Sequence, residues 1–157
     1  MKIGIFYYSK TGKNKELANI LSKKGNSEME EIVDKKNRNG ILGFLRSGFD
    51  AFTKKLTEIN NLKLDPSNFD HIIIGTPVWA GNITPAIRTF LIKYKESIKN
   101  YSVISVSAFG EKNLKIVNDL EKILNKKPNL TLFLSEKDLK KGDINSKIEN
   151  FVEGLIK

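Results

Sequence analysis

An open α/β sheet with helices on both faces is the architecture this sequence predicts, and three observations predict it. Short, largely apolar runs recur along the chain, at residues 3–8, 71–75 and 101–106. That is the pattern of strands buried on both faces. Each run is followed by a stretch whose apolar residues fall at helical spacing, and the β-α alternation repeats five times. Such alternation requires parallel strands joined by crossover helices. The first run also passes directly into Ser9, Thr11, Gly12 and Asn14, a hydroxyl- and glycine-bearing turn that opens a helix.

Taken in order, the first helix spans about residues 14–22 and carries Leu17, Ile20 and Leu21 on one face. The second strand, residues 28–34, is apolar at Met29, Ile32 and Val33, and its acidic content places it at a sheet edge. A polar link, residues 35–40, leads to Ile41, Leu45, Phe49, Phe52 and Leu56 at near-helical spacing. Gly43 and Gly48 interrupt that pattern, so the helix depends on packing more than on propensity. Its phenylalanines are expected in the core; the alternative makes residues 40–50 a flap or partner surface beside a site.

Pro66 and Asn68 turn the chain into the third strand, residues 71–75. His71 stands at its start, the end remote from ligands in such a sheet, so its expected role is structural. Beyond the loop 76–82, Ile83, Ala86, Ile87, Phe90 and Leu91 form a helical stripe, with Thr84 and Pro85 as N-cap and first residue. The fourth strand, 101–106, gives way to the loop 107–112 and a helix with Leu114, Val117, Leu120 and Leu124 on one face. Pro128 precedes a last strand, 130–134. A charged connector, 136–143, then leads to a closing helix carrying Ile144, Ile148, Phe151, Val152 and Leu155.

A chain of 157 residues suits one compact domain, residues 1–157. The absence of cysteine excludes disulfides, a thiolate nucleophile, thiolate-ligated zinc and iron–sulfur clusters, and a single histidine excludes a histidine-built metal site. No run reaches the length of a membrane span and the N-terminus reads as a strand, so a cytoplasmic protein without membrane insertion is expected. The formal charge of +9 raises the question of nucleic acid. Its lysines, however, are scattered among asparagines and isoleucines, with no basic stripe interleaved with aromatics. No nucleic-acid partner is expected.

In an open α/β sheet, ligands bind at the carboxyl ends of the strands where strand order reverses. Three loops leave those ends: 9–14, 76–82 and 107–112. In the first, the free amides of a helix N-terminus and its dipole favour an anion. Ser9 and Thr11 add hydroxyls, Gly12 permits close approach, and Lys13 adds charge. The stretch is neither G-x-x-x-x-G-K-[ST] nor G-x-G-x-x-G. It reads as a phosphate cradle, or more plainly as a strand-to-helix turn with Asn14 as N-cap. The second loop, Thr-Pro-Val-Trp-Ala-Gly-Asn, holds Trp79, the only tryptophan. Beside a phosphate site, a flat aromatic suggests stacking on a planar ring; the alternative is packing on a neighbouring helix.

Over essentially its whole length the chain resembles the flavodoxin family of small FMN proteins. Ser9-Lys-Thr-Gly-Lys-Asn14 is similar to the family's phosphate-binding T/S-x-T-G-x-T, and residues 76–91 look like the loop and helix that hold one face of the flavin. The resemblance implies a doubly wound five-stranded sheet of order 2-1-3-4-5. It implies that Ser9, Thr11, Gly12, Lys13 and Asn14 hold the FMN phosphate. Pro77, Val78, Trp79, Ala80, Gly81 and Asn82 would border the isoalloxazine and ribityl chain, and Ser107, Ala108, Phe109 and Gly110 the ring's other side. Asn14 stands where the family usually has threonine, the third loop lacks the usual tyrosine and acidic run, and the basic charge is atypical. The function implied is an FMN electron carrier between redox partner proteins, here acidic ones. The alternatives are an FMN-dependent NAD(P)H oxidoreductase acting on a quinone or similar acceptor, with Arg38, Arg46 or Lys112 as contacts for the second cofactor, and a flavin-free binding module.

Overall fold

The computed structural model describes residues 1–108, 110, 114–141 and 144–156. Five parallel strands form its sheet: β1 (Ile3–Tyr7), β2 (Glu28–Glu31), β3 (His71–Gly75), β6 (Tyr101–Ser107) and β7 (Thr131–Ser135). Their spatial order, β2-β1-β3-β6-β7, is the expected 2-1-3-4-5. The reversal lies between β1 and β3, which pair from Ile3 with His71 to Tyr7 with Gly75. Both chains leave the sheet at the same level there.

The period of two along each strand sorts the side chains onto two apolar layers. Phe6, Ile72, Ile74, Val103 and Phe133 pack under the helices α3 (Pro85–Tyr94) and α4 (Leu114–Leu124). Ile5, Ile73, Ile104, Leu132 and Leu134 pack under α1 (Lys13–Gly25) and α6 (Asn145–Ile156). Burial on both faces is why these strands read as largely apolar runs. α3 starts as expected, with Thr84 Oγ1 accepting from the Ile87 amide and Pro85 behind it.

Several expectations need correction. Residues 136–141 are not a plain connector but a short helix, α5 (Glu136–Lys141). Asp138 accepts from both the amide and the hydroxyl of Ser135 at 2.7 Å, while the Ser135 hydroxyl accepts from the Asp138 amide. This reciprocal cap was written in the sequence as Ser-x-x-Asp. Ile83 lies not in α3 but in a two-stranded hairpin of β4 (Val78–Trp79) and β5 (Asn82–Ile83). The largest correction concerns α2 (Gly40–Phe52): Phe44, Phe49 and Phe52 are exposed rather than core.

His71 is only 4 % exposed and its Nε2 lies 2.9 Å from Ser102 Oγ, as a structural residue should. Burial lowers its pKa, so the folded ring stays neutral where the unfolded one is charged. The unfolded chain therefore takes up this proton first. Stability is intact above about pH 6.5 and declines as pH falls below that value. Urea midpoints at pH 7.5 and 5.5 (roughly a unit either side of that value) should show the decline in the wild type. In His71→Gln the decline should be smaller; an equal decline would locate the titration in another group.

Candidate functional site

The loop after β1 is built around Gly12, whose φ of 83° lies in the left-handed region that a side chain would strain. Gly12 is the N-cap of α1 and makes no side-chain cap bond. Ser9 supplies one instead, its Oγ accepting from the Lys15 amide at 3.2 Å, and the Glu16 amide donates to Gly12 O. The amides of Gly12, Lys13 and Asn14 have no acceptor among the described residues. An atom added at the Gly12 Cβ position would meet nothing within 4 Å, so the cradle is open. Thr11 is exposed at its rim, and Lys13 Nζ lies 3.2 Å from Glu16, which shares its charge.

Asn14 does not act as the N-cap. It lies inside the first turn, 3 % exposed, with its side-chain oxygen accepting from the Val106 amide at 2.9 Å and its Nδ2 donating to Val106 O. The amide thus substitutes for a strand partner at the end of β6 and ties the first loop to the third. Only its backbone N–H remains for an anion. Ser107 and Ala108 follow immediately, Ser107 buried opposite Ser135 and Ala108 exposed in a turn. Gly110 has a φ of 54°. Phe109 and Lys112 lie outside the described residues.

The second loop is more regular than its composition suggested. Ala80 and Gly81 both have positive φ, 48° and 73°, as a two-residue hairpin turn of the primed type requires. Asn82 is buried and donates to Ala80 O at 2.7 Å, so its side chain holds the turn. Trp79 is thereby set on a rigid ribbon. Its ring meets Tyr8 edge-on at 5.5 Å, with Lys10 Nζ and the Arg38 guanidinium each 5.6 Å from its centroid. Burial, and after it the Asp34 charge, pushes the Tyr8 hydroxyl up to about 12, so it stays neutral.

α2 supplies the remaining wall, which the sequence reading held only as its alternative. A cleft of about 560 Å³ opens between Lys10 and Thr11, residues 77–80, and Phe44, Gly48 and Phe49 of α2. The helix is held by its polar side. Arg38, itself buried, binds Asp34 through Nε and Asp50 through Nη1, and Lys36 Nζ adds a contact to Asp50 at 3.1 Å. Gly43 packs on the Arg38 backbone so closely that a Cβ would collide with it. Burial alone would raise the Asp50 carboxyl, but the Lys36 and Arg38 hydrogen bonds hold it below its ordinary value. Arg38 is therefore paired with two carboxylates, while its Nη2 has no hydrogen-bond partner among the described residues.

Of the residues expected in a site, Thr11, Pro77, Val78, Trp79 and Ala80 share this cleft, and Ser9, Gly12, Lys13 and the Asn14 backbone form the adjoining cradle. Gly81 and Asn82 shape the hairpin behind them. Among the described residues no cluster of His, Cys, Asp or Glu could hold a metal ion, and no helix is long and apolar enough to cross a membrane.

No protein-family model matches the chain, and no curated protein matches it in sequence. Solved structures do match in shape. A flavoprotein from Lactobacillus acidophilus, in complex with FMN, is 22% identical with a TM-score of 0.72, over 92% of this chain and 98% of its own. A putative flavoprotein from Bacteroides eggerthii is 20% identical with a TM-score of 0.78, over 97% and 96%. Fusobacterium nucleatum flavodoxin bound to flavin mononucleotide is 18% identical with a TM-score of 0.56, over 98% and 96%. The fold is flavodoxin-like: a parallel sheet of order 2-1-3-4-5 with its cradle at the switch point.

Proposed function

We propose that this protein binds FMN and carries electrons between redox partners. The observation that carries the proposal is the open cradle at Gly12 standing next to an aromatic cleft, a donor set that fits a phosphate joined to a planar ring. Two of the structural neighbours hold FMN on the same fold. The amides of Gly12, Lys13 and Asn14, with the Thr11 hydroxyl, would hold the phosphate at the positive end of α1. Trp79 and the hairpin would border the ring, and Phe44 and Phe49 of α2 would keep water from it. Bound there, the flavin supplies the electron chemistry itself. The protein's part is to bind, orient and shield.

That division of labour agrees with the side chains present. Among the described residues the cleft is lined by no carboxylate or histidine, and the Tyr8 hydroxyl beside Trp79 is held neutral. Direct NAD(P)H oxidation is the second reading; of its candidate contacts, Arg38 is already paired with Asp34 and Asp50, and Arg46 is exposed on α2. Purified protein should show flavin absorbance bands, and FMN added to apoprotein should quench the fluorescence of the single tryptophan. Under anaerobic conditions NADPH alone should leave the bands oxidised, with bleaching only after a flavoprotein reductase is added. Rapid bleaching by NADPH alone would make the protein an oxidoreductase; unchanged tryptophan emission would move the ring away from Trp79.

A further inference from the structure

α2 faces outward with the wrong side for an ordinary surface helix. Ile41, Leu42, Phe44, Leu45, Phe49 and Phe52 are between 57% and 83% exposed, while Gly43, Ser47, Asp50 and Ala51 are buried. At 3.6 residues per turn the six apolar side chains occupy one continuous arc of roughly 160°. Leu56, just beyond the helix, is exposed as well. A contiguous apolar patch of this kind marks an interaction surface. Its middle part, Phe44, Leu45 and Phe49, borders the cleft, but Ile41, Leu42 and Phe52 at the helix ends do not line it.

The rim of the patch is cationic. Lys10 Nζ stands 5.9 Å from the Phe44 ring and Lys55 Nζ 4.8 Å from the Phe49 ring, and Arg46 is exposed within the helix. The only acid on α2, Asp50, is 2 % exposed and already shared by Arg38 and Lys36, with Lys55 Nζ at 4.0 Å. The surface is thus apolar at the centre and positive at the edge, on a chain of net charge +9. A second copy would bring the same cationic rim, Lys10, Arg46 and Lys55, which disfavours self-association through this face.

We infer that the outward face of α2 is the docking surface for an acidic redox protein, one presenting apolar side chains ringed by Asp and Glu. The inference rests on the electron-carrier reading and adds to it where the partner sits. A patch continuous with the cleft would place a docked protein beside the proposed flavin site. A helix about 20 Å long suits the small interface of a transient electron-transfer encounter. Charge on the rim steers the approach, and the apolar centre holds the complex.

The test uses FMN-loaded, reduced protein with two forms of one oxidant: native cytochrome c, which is basic, and succinylated cytochrome c, which is acidic. The acidic form should be reduced about tenfold faster at low salt, with the advantage shrinking as salt shortens the screening length to below about 8 Å. Leu42→Ser with Phe52→Ser should slow that reaction about tenfold, the loss of one or two apolar anchors. Flavin absorbance and the rate with ferricyanide, which needs no docking surface, should stay unchanged. Equal rates for the two cytochromes, or no effect of the double variant, would overturn the docking site and leave the carrier reading intact. So would self-association in sedimentation that the variant abolishes, or retention on phosphatidylglycerol vesicles that it abolishes; these assign the face to a second copy or to a membrane. A colourless protein that takes up no FMN would overturn both.

Discussion

Arg38→Met should destabilise the protein by about 3–5 kcal/mol, the usual loss when one member of a buried ion pair is removed. Asp34 and Asp50 have side chains 3% and 4% exposed, and Arg38 is the cation they share. Without it, Asp50 keeps Lys36, whereas Asp34 keeps only neutral donors, the Thr57 hydroxyl and the Lys36 amide. The low end of the range is therefore expected. Urea denaturation at neutral pH measures the change. Arg38→Met combined with Asp34→Asn should recover part of it, because the charge left stranded has been removed. Flavin binding should weaken in the single variant, since residues 34–38 anchor the helix that walls the cleft. A single variant as stable as the wild type would mean that the network merely occupies its position and does not hold α2.

The apoprotein should bind FMN about a hundredfold more tightly than riboflavin. Hydrogen bonds to a charged group contribute about 1.5–3 kcal/mol each. Two of them at the lower value, from the open amides of the cradle, give about 3 kcal/mol and that ratio. Thr11→Ala should weaken FMN by about 1–3 kcal/mol and riboflavin by less, because the proposed role of the hydroxyl is to donate to the phosphate. Gly12→Val should shrink the preference further, since a β-branched side chain is strained at a φ of 83°. Fluorescence titration of Trp79 measures all six affinities. Equal binding of FMN and riboflavin would show that the Gly12 cradle holds no phosphate.

The four buried strands and the acidic edge strand, their parallel alternation with helices and the Thr84–Pro85 start of α3 were all legible in the chain, because local periodicity and local capping dictate them. The first loop was legible too, since a strand running into Ser-Lys-Thr-Gly places open amides wherever the rest of the fold lies. Asn14 and α2 show where that reasoning ends. An asparagine near a helix start is a good cap by any local measure. It became a clamp only because Val106, 92 residues away in sequence, arrives beside it. The stripe of Ile41, Leu45, Phe49 and Phe52 announces one apolar face, and the hydrophobic effect alone turns such a face inward. Here the opposite face carries Asp50, which finds Arg38 in the interior and the half-buried Lys36 beside it, and Gly43, packed where a Cβ would meet the Arg38 backbone. Helical periodicity defines a face without stating which way it points. Pairing of buried charge between separate segments decided the direction, and with it left the apolar side of α2 to solvent.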